Sequence, residues 1–211
     1  DDASSVEVKE RLRTFAVWRR VVSKTAYLRN EKQQLFTRTV NRGIRYTVQH
    51  WNPDAVVVLN TDCTLSKGWL EHLLGAFDDP KVGMAGYRDD QELRKPPYTE
   101  VKIPDYVTGH CMLLRIAALR EVGILSETDV DGRQDPTLKN FHGQAHIGSE
   151  RLLCNKMNIY GWKTLYCNGL YVQHADGKSW GRDLKWLSQF ILEPLWKPND
   201  GLEPEEFYDR E

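Results

Sequence analysis

Length, composition and charge exclude several classes of protein. The 211 residues are 40% hydrophobic and 28% charged, a mixture typical of one folded globular domain rather than of a disordered or collagen-like chain. A formal net charge of -1 provides no overall basic field for nucleic acid, and no apolar run reaches the roughly 20 residues that span a bilayer.

The chain opens on a polar segment, Asp1-Asp2-Ala3-Ser4-Ser5, followed directly by a helical pattern. Val8 and Leu12 share one side of that helix, and Ser4 with Glu7 matches a capping box. An α/β domain usually opens on a strand. We therefore expect the first strand to come from a preceding segment, another domain or another subunit.

A second helix and a strand follow. Val40, Ile44 and Val48 lie at helical spacing, and the helix should end before Pro53, which disfavours helix at the preceding residue. Residues 55–59 form a valine-rich run that predicts a strand covered on both faces. Asn60-Thr61-Asp62 stands at its carboxyl end.

The remaining elements alternate, which predicts an α/β sandwich with a mostly parallel mixed sheet flanked by helices. Residues 126–148 are polar and lack periodicity, which predicts a long loop. We expect a main domain over residues 1–180 and a C-terminal helix with a polar tail over residues 181–211. Further strands are expected at 82–87, 100–103, 111–114, 163–167 and 170–174, and further helices from a Ser66 cap onward, at 117–122 and at 151–160.

Asp62 is the first candidate for chemistry. Ligands of open α/β sheets bind beyond the carboxyl ends of strands, where a carboxylate can hold a divalent cation against a diphosphate. The alternative is that Asp62 caps the turn before the next helix, and the local pattern favours neither interpretation.

The order of several short segments carries a resemblance. They are the opening Asp-Asp-Ala-Ser-Ser, Asn41-Arg42-Gly43-Ile44, Leu59 to Asp62, Thr108 to Arg115, Glu121-Val122-Gly123, Gly161-Trp162 and Val172-Gln173-His174. In this order the chain resembles the family-2 glycosyltransferases with a glycosyltransferase A (GT-A) fold, in particular their rhamnosyltransferase-like branch, over residues 1–179.

The resemblance implies a nucleotide-diphospho-sugar donor and a divalent metal, Mn²⁺ or Mg²⁺. Asp1 or Asp2 would bind the nucleotide base, although both can also be loose terminal residues. Asn41 falls in a matching donor-side segment. Asn60 and Asp62 match the two positions of a D-x-D-like motif.

On the acceptor side, Thr108, Gly109 and His110 match the loop below the pocket. Gly109 alone is also explained by a close approach of backbone. The catalytic base of the family lies about a dozen residues before the Gly-Trp pair, which points to Glu150. The alternative is a glutamate that merely favours a helix start.

His174 matches a histidine that completes the metal or diphosphate shell in the family. Imidazole nitrogen is a competent metal ligand, but a histidine at a strand end is often simply hydrogen-bonded.

The implied function is transfer of a sugar to a hydroxyl acceptor, metal-dependent and with inversion. A retaining transferase on the same fold is one alternative. A non-catalytic binding or assembly module is another, favoured by Ser149 where the family has an acid.

The four cysteines are far apart and form no C-x-x-C pair, which argues against a zinc site and a disulfide framework. We expect reduced thiols and a cytoplasmic location.

Overall fold

The computed structural model describes residues 1–19, 24–32, 34–87, 96–102, 105–127, 149–169 and 171–174. The helix and tail expected over residues 181–211 lie outside these residues, as does most of the loop expected over residues 126–148. The helices are α1 (Val6–Arg19), α2 (Leu35–Trp51), α3 (Trp69–Gly75), the 3-10 helix Ala76–Asp78, α4 (Ile116–Val122) and α5 (Ser149–Ile159). The strands are β1 (Ala55–Leu59), β2 (Cys63–Leu65), β3 (Val82–Tyr87), β4 (Tyr98–Glu100), β5 (Cys111–Arg115), β6 (Lys163–Cys167) and β7 (Val172–His174).

Five strands form one mixed sheet in the order β1-β5-β3-β6-β4. The expected mixed sheet with flanking helices is confirmed, but within the described residues only β3 and β6 pair in parallel, and the other three pairs are antiparallel. Leu59 at the end of β1 lies opposite Cys111 at the start of β5. The residues that follow β1 therefore lie beside those that precede β5.

β2 and β7 form a separate antiparallel pair, with Cys63 opposite His174. The sequence predicted no strand at β2, and it predicted a strand over residues 170–174 that ends at His174, without its partner. A three-residue strand is too short to show a period of two, so only its pairing partner reveals it. This pairing brings His174 next to the turn that precedes Cys63.

Helices cover both faces of the sheet. On one face, α2, α4 and α5 pack over an apolar cluster that includes Ile44, Leu119 and Leu153. On the other face α3 contributes Leu73 to a second cluster. The prediction that β1 is covered on both faces is wrong for Val57, which is 36% exposed because β1 is an edge strand of the described sheet.

Two helices begin at residues other than the capping residues predicted from the sequence. Helix α1 begins after Ser5, whose Oγ accepts the Val8 N–H at 3.4 Å, whereas Ser4 donates its own N–H to the Asp1 carboxylate. Helix α3 begins after Gly68, which adopts φ +83° and offers no side-chain cap in place of the expected Ser66. In both cases the helix is present and the capping residue is displaced along the chain.

All four cysteines lie in the described part of the chain and are free thiols. Among the described residues, no helix combines the length and the apolar character that crossing a bilayer requires.

Candidate active site

The turn after β1 positions Asp62. Asn60 donates its backbone N–H to the carbonyl of His110 at 2.8 Å, and Cys63 donates its N–H back to Asn60 at 3.4 Å, which closes the turn. Asp62 Oδ1 lies 3.2 Å from His174 Nε2. Helix α3 begins after Gly68 and has no side-chain cap, so Asp62 does not cap that helix. The alternative that Asp62 caps the turn before α3 stays a prediction.

A second histidine supports this pair. The ring of His110 stacks on that of His174 with centroids 5.0 Å apart and planes 12° from parallel. Thr108 Oγ1 lies 2.7 Å from His110 Nδ1 and donates its proton to the carbonyl of Tyr87 at 3.1 Å. Since the threonine has one proton to give, His110 must donate from Nδ1, which fixes the orientation of its ring.

Glu150 reaches the same loop from the other side. It lies in the first turn of α5, and a Cβ built on Gly109 would lie 2.3 Å from Glu150 Oε1 and 2.7 Å from the Phe36 ring. Such distances are far below van der Waals contact, so only glycine leaves room for the carboxylate there. The close approach at Gly109 is made by the side chains of Glu150 and Phe36 rather than by backbone, the group that the sequence suggested.

The environment of Glu150 distinguishes it from an ordinary glutamate at a helix start. Burial raises the pKa of its carboxyl group above the usual value, and hydrogen bonds from its own backbone N–H and from Ser149 partly oppose this shift. A glutamate that served only the helix dipole would keep its charge in water. Desolvation of a carboxylate is unfavourable, and groups tuned in this way are typical of general acid-base chemistry.

The structure thus joins predicted site residues that are distant in sequence. A continuous series of contacts runs from Asp62 through His174 and His110 to Gly109 and Glu150. The two carboxylates stand at opposite ends of this series, with Thr108 holding the loop between them.

Asp1 and Asp2 belong to a different network. The Asp1 side chain is 1% exposed, and it accepts hydrogen bonds from Tyr27 and Arg29 and from the Ser4 N–H. Asp2 accepts from Asn30 at 2.9 Å and from a backbone N–H at 2.6 Å. Neither aspartate is a loose terminal residue, and their role toward a nucleotide stays a prediction.

Asn41 lies in the buried interior of α2. Its amide donates to the carbonyl of Leu125 at 2.7 Å and to Glu127 at 2.9 Å, and Arg45 lies 3.1 Å from the same carboxylate. These contacts hold the chain after α4 against α2. None of these contacts involves a donor, and the role of Asn41 in donor binding remains a prediction.

Sequence reasoning missed several neighbours of the site. Phe36 and Thr37 at the start of α2 approach Gly109 and Ser149, and Cys63 donates its thiol to the His110 carbonyl at 3.4 Å. None of these residues belongs to a motif. Only the packing of α2 and of β2 against the loop 108–110 identifies them.

Asp62 and His174 fit a divalent cation as a pair of ligands. A carboxylate oxygen and an imidazole nitrogen are both groups that a divalent cation binds, and here they lie 3.2 Å apart, at hydrogen-bond distance. Their side chains are 31% and 20% exposed, so a ligand can reach them from solvent. Within the described ranges, no group of three histidine, cysteine or acidic side chains could hold a metal ion.

The fold matches known nucleotide-sugar enzymes. One of 31 matching chains of solved structures is the mannosyltransferase PcManGT from Pyrobaculum calidifontis in complex with GDP-Man and Mn²⁺, at a TM-score of 0.59 and 13% identity. The match covers 84% of the present chain and 47% of that structure, so this chain spans about half of its length. The fold is the GT-A fold. No curated protein sequence matches the chain.

A family model provides the assignment that structural similarity alone does not. The model described as glycosyl transferase family 2 matches residues 1–120, which include Asp62 and the loop 108–110. Glu150 and His174 lie beyond the matched range, and their place in the site rests on their contacts with the matched residues. The chain belongs to glycosyl transferase family 2.

Proposed function

We propose that this chain transfers a sugar from a nucleoside-diphosphate donor to a hydroxyl group with inversion, using a divalent cation at Asp62 and His174 and Glu150 as general base. The observation that carries the proposal is the contact series from Asp62 to Glu150 across the loop 108–110. Its support is geometric, together with membership of the family and the fold.

The donor side is the pair Asp62 and His174. The cation, when bound there, neutralises the charge that develops on the leaving nucleoside diphosphate. Stacking by His110 limits the rotation of the His174 ring, and the turn closed by Asn60 holds Asp62 beside it. Asp62 and His174 would hold the cation from the protein side, and the diphosphate of the donor would bind it from the other.

The acceptor side is the Glu150 carboxylate beside Gly109. In an inverting transfer the acceptor oxygen forms a bond to the anomeric carbon while the bond to the diphosphate breaks, and the acceptor proton must go to a base. Glu150 is separated from Asp62 by the stacked rings and the loop, so one carboxylate serves the leaving group and the other the nucleophile. Burial raises its pKa towards the range in which a base is effective.

The test compares Glu150→Gln with Glu7→Gln, a matched control in the first turn of exposed helix α1. GDP-mannose and Mn²⁺ are the first probes, followed by a panel of other nucleoside-diphosphate sugars, with release of the nucleoside diphosphate as readout. We expect Glu150→Gln to lower kcat by about 10²- to 10⁴-fold, the usual contribution of general-base catalysis, and Glu7→Gln to leave it unchanged.

Calorimetry separates the enzyme from a non-catalytic module. We expect the nucleoside diphosphate to bind only with Mn²⁺, and Asp62→Ala to abolish that dependence. Binding without turnover over the whole donor panel would identify a binding module and contradict the assignment of Glu150. NMR of the product decides the stereochemistry, because an α product from an α donor would exclude inversion.

A further inference from the structure

Two buried hydroxyl groups connect helix α2 to Glu150. Thr37 Oγ1 donates to Ser149 Oγ at 3.0 Å, and Ser149 Oγ donates to Glu150 Oε2 at 3.2 Å. Thr37 is 1% exposed and Ser149 is completely buried. A family-like acid at position 149 would place a second negative charge beside Glu150, whereas serine offers it a proton.

The direction of these two hydrogen bonds follows from the Glu150 carboxylate at which they end. An ionised carboxylate only accepts, so the single proton of Ser149 points to Glu150, and Ser149 must accept from Thr37. Hydrogen bonds in series polarise one another, which strengthens the last bond most when the carboxylate is charged. The series therefore favours the ionised form of Glu150, the form that a base requires.

We propose that Thr37 and Ser149 are positioning residues that orient the Glu150 carboxylate through Oε2 and present Oε1 to the acceptor. Their catalytic consequence rests on the proposed function of Glu150, whereas their effect on the carboxylate itself does not. Oε1 is the oxygen next to Gly109, where a Cβ would lie 2.3 Å away. Oε2 is thus the oxygen that Ser149 holds, and Oε1 is the oxygen beside the loop predicted to lie on the acceptor side.

The titratable residues next to Glu150 along α5 and on the loop beside it are Arg151, Cys154 and His110, and burial is the main cause of the raised Glu150 pKa. Cys154 lies one turn further along α5, and burial raises the pKa of its thiol to about 12, so it is uncharged at neutral pH. His110 follows Gly109 and stacks on His174. Helix α2 presents Phe36 and Thr37, which do not titrate. Burial raises the pKa of Glu150, and the Ser149 hydrogen bond acts against that shift.

The experiment measures the Glu150 carboxyl group directly, by ¹³C NMR titration of labelled protein with Glu150→Gln to assign the signal. Removing a hydrogen bond to a charged group costs about 1.5 kcal/mol, so we expect Ser149→Ala to move the titration midpoint upward by about one pH unit. Thr37→Val should move it upward by less. Thr37→Ser, which keeps the hydroxyl group, should leave it in place.

The acid limb of the pH profile of kcat/KM should also move upward, most in Ser149→Ala, less in Thr37→Val and not at all in Thr37→Ser. An unchanged midpoint in Ser149→Ala would overturn the proposal, and if that variant does not fold, equal midpoints in Thr37→Val and Thr37→Ser would overturn it instead. A midpoint that moves while the acid limb stays in place would uphold the effect on the carboxylate and refute Glu150 as the base.

Discussion

Asp1 and Glu150 are acidic residues that are partly exposed but whose carboxyl groups are buried, and the groups around these two carboxylates differ. Asp1 accepts from a guanidinium group, a phenol and a backbone N–H, all of which satisfy its charge. Glu150 has a serine hydroxyl and lies against a glycine, and burial raises its pKa. A carboxylate surrounded by fixed donors stabilises the fold, whereas one that is incompletely compensated retains the capacity to take up a proton.

The largest expected effect is on stability, and it tests whether Asp1 stabilises the fold. Asp1→Ala leaves the Arg29 guanidinium group without its buried partner, which should reduce the free energy of unfolding by about 3 kcal/mol. Urea denaturation with an unchanged m-value measures it. The control is Glu7→Ala, which removes an exposed ion pair with Arg11 and should cost less than about 0.5 kcal/mol.

A different result for Asp1→Ala would assign Asp1 a role in binding the donor rather than in stabilising the fold. If Asp1→Ala keeps its stability but binds the nucleoside diphosphate more weakly, the residue belongs to the donor site, as the family resemblance implies.

The second effect is on rate. In Gly109→Ala the new Cβ displaces the flexible end of Glu150 while the fold can remain, and a shift of ~1 Å at the base should lower kcat by about 100-fold, or about 2.7 kcal/mol. Gly43→Ala is the control, because no atom lies within 4 Å of its added Cβ in the interior of α2. That variant should be slightly more stable and fully active.

Unchanged turnover in Gly109→Ala, with a structure showing Glu150 displaced, would mean that the position of this carboxylate does not matter for transfer. The glycine would then serve packing alone.

The smallest effect concerns a thiol. Burial raises the pKa of Cys111, Cys154 and Cys167 to about 12, so these thiols should react slowly with a maleimide. Cys63 is partly exposed and follows Asp62 directly. A nucleoside diphosphate with Mn²⁺ should slow its labelling about tenfold, equivalent to about 1.4 kcal/mol. Mass spectrometry identifies the labelled residue. Equal labelling rates with and without the nucleoside diphosphate and Mn²⁺ would mean that these ligands bind away from Cys63.

Strongly apolar elements were predictable from the sequence. The bounds of β3 and β6 were expected where they are found, because both strands lie between turn signals. β3 is buried along its whole length, whereas half-buried Lys163 and Leu165 alternate with buried residues at the start of β6. The end of α2 before Pro53 was likewise expected, and Asn52 there adopts φ +42°. Local chemistry determines these features, so a local pattern can reveal them.

The sequence predicted a set of candidate site residues but not how they are arranged. Asp62 and Glu150 were identified by order and spacing, yet nothing in the sequence shows that Gly109 lies between Glu150 and the histidines. Ser149 was read as a departure from the family pattern, and only its hydrogen bond from Thr37 reveals a use for it. Contacts between residues far apart in the chain depend on packing, which a local pattern does not encode.

The pairing of β2 with β7 involves three residues on each strand, and it alone sets His174 opposite Cys63. Side chains alternate between the two sides of a strand, so a slip of one residue in this short ribbon would turn the imidazole away from Asp62. Val172, the neighbour of Gln173 on β7, is completely buried in the second apolar cluster with residues of the main sheet, so such a slip would also turn Val172 out of that cluster. The position of His174 and the packing of that cluster are therefore set by the same three-residue pairing, and a change in one changes the other.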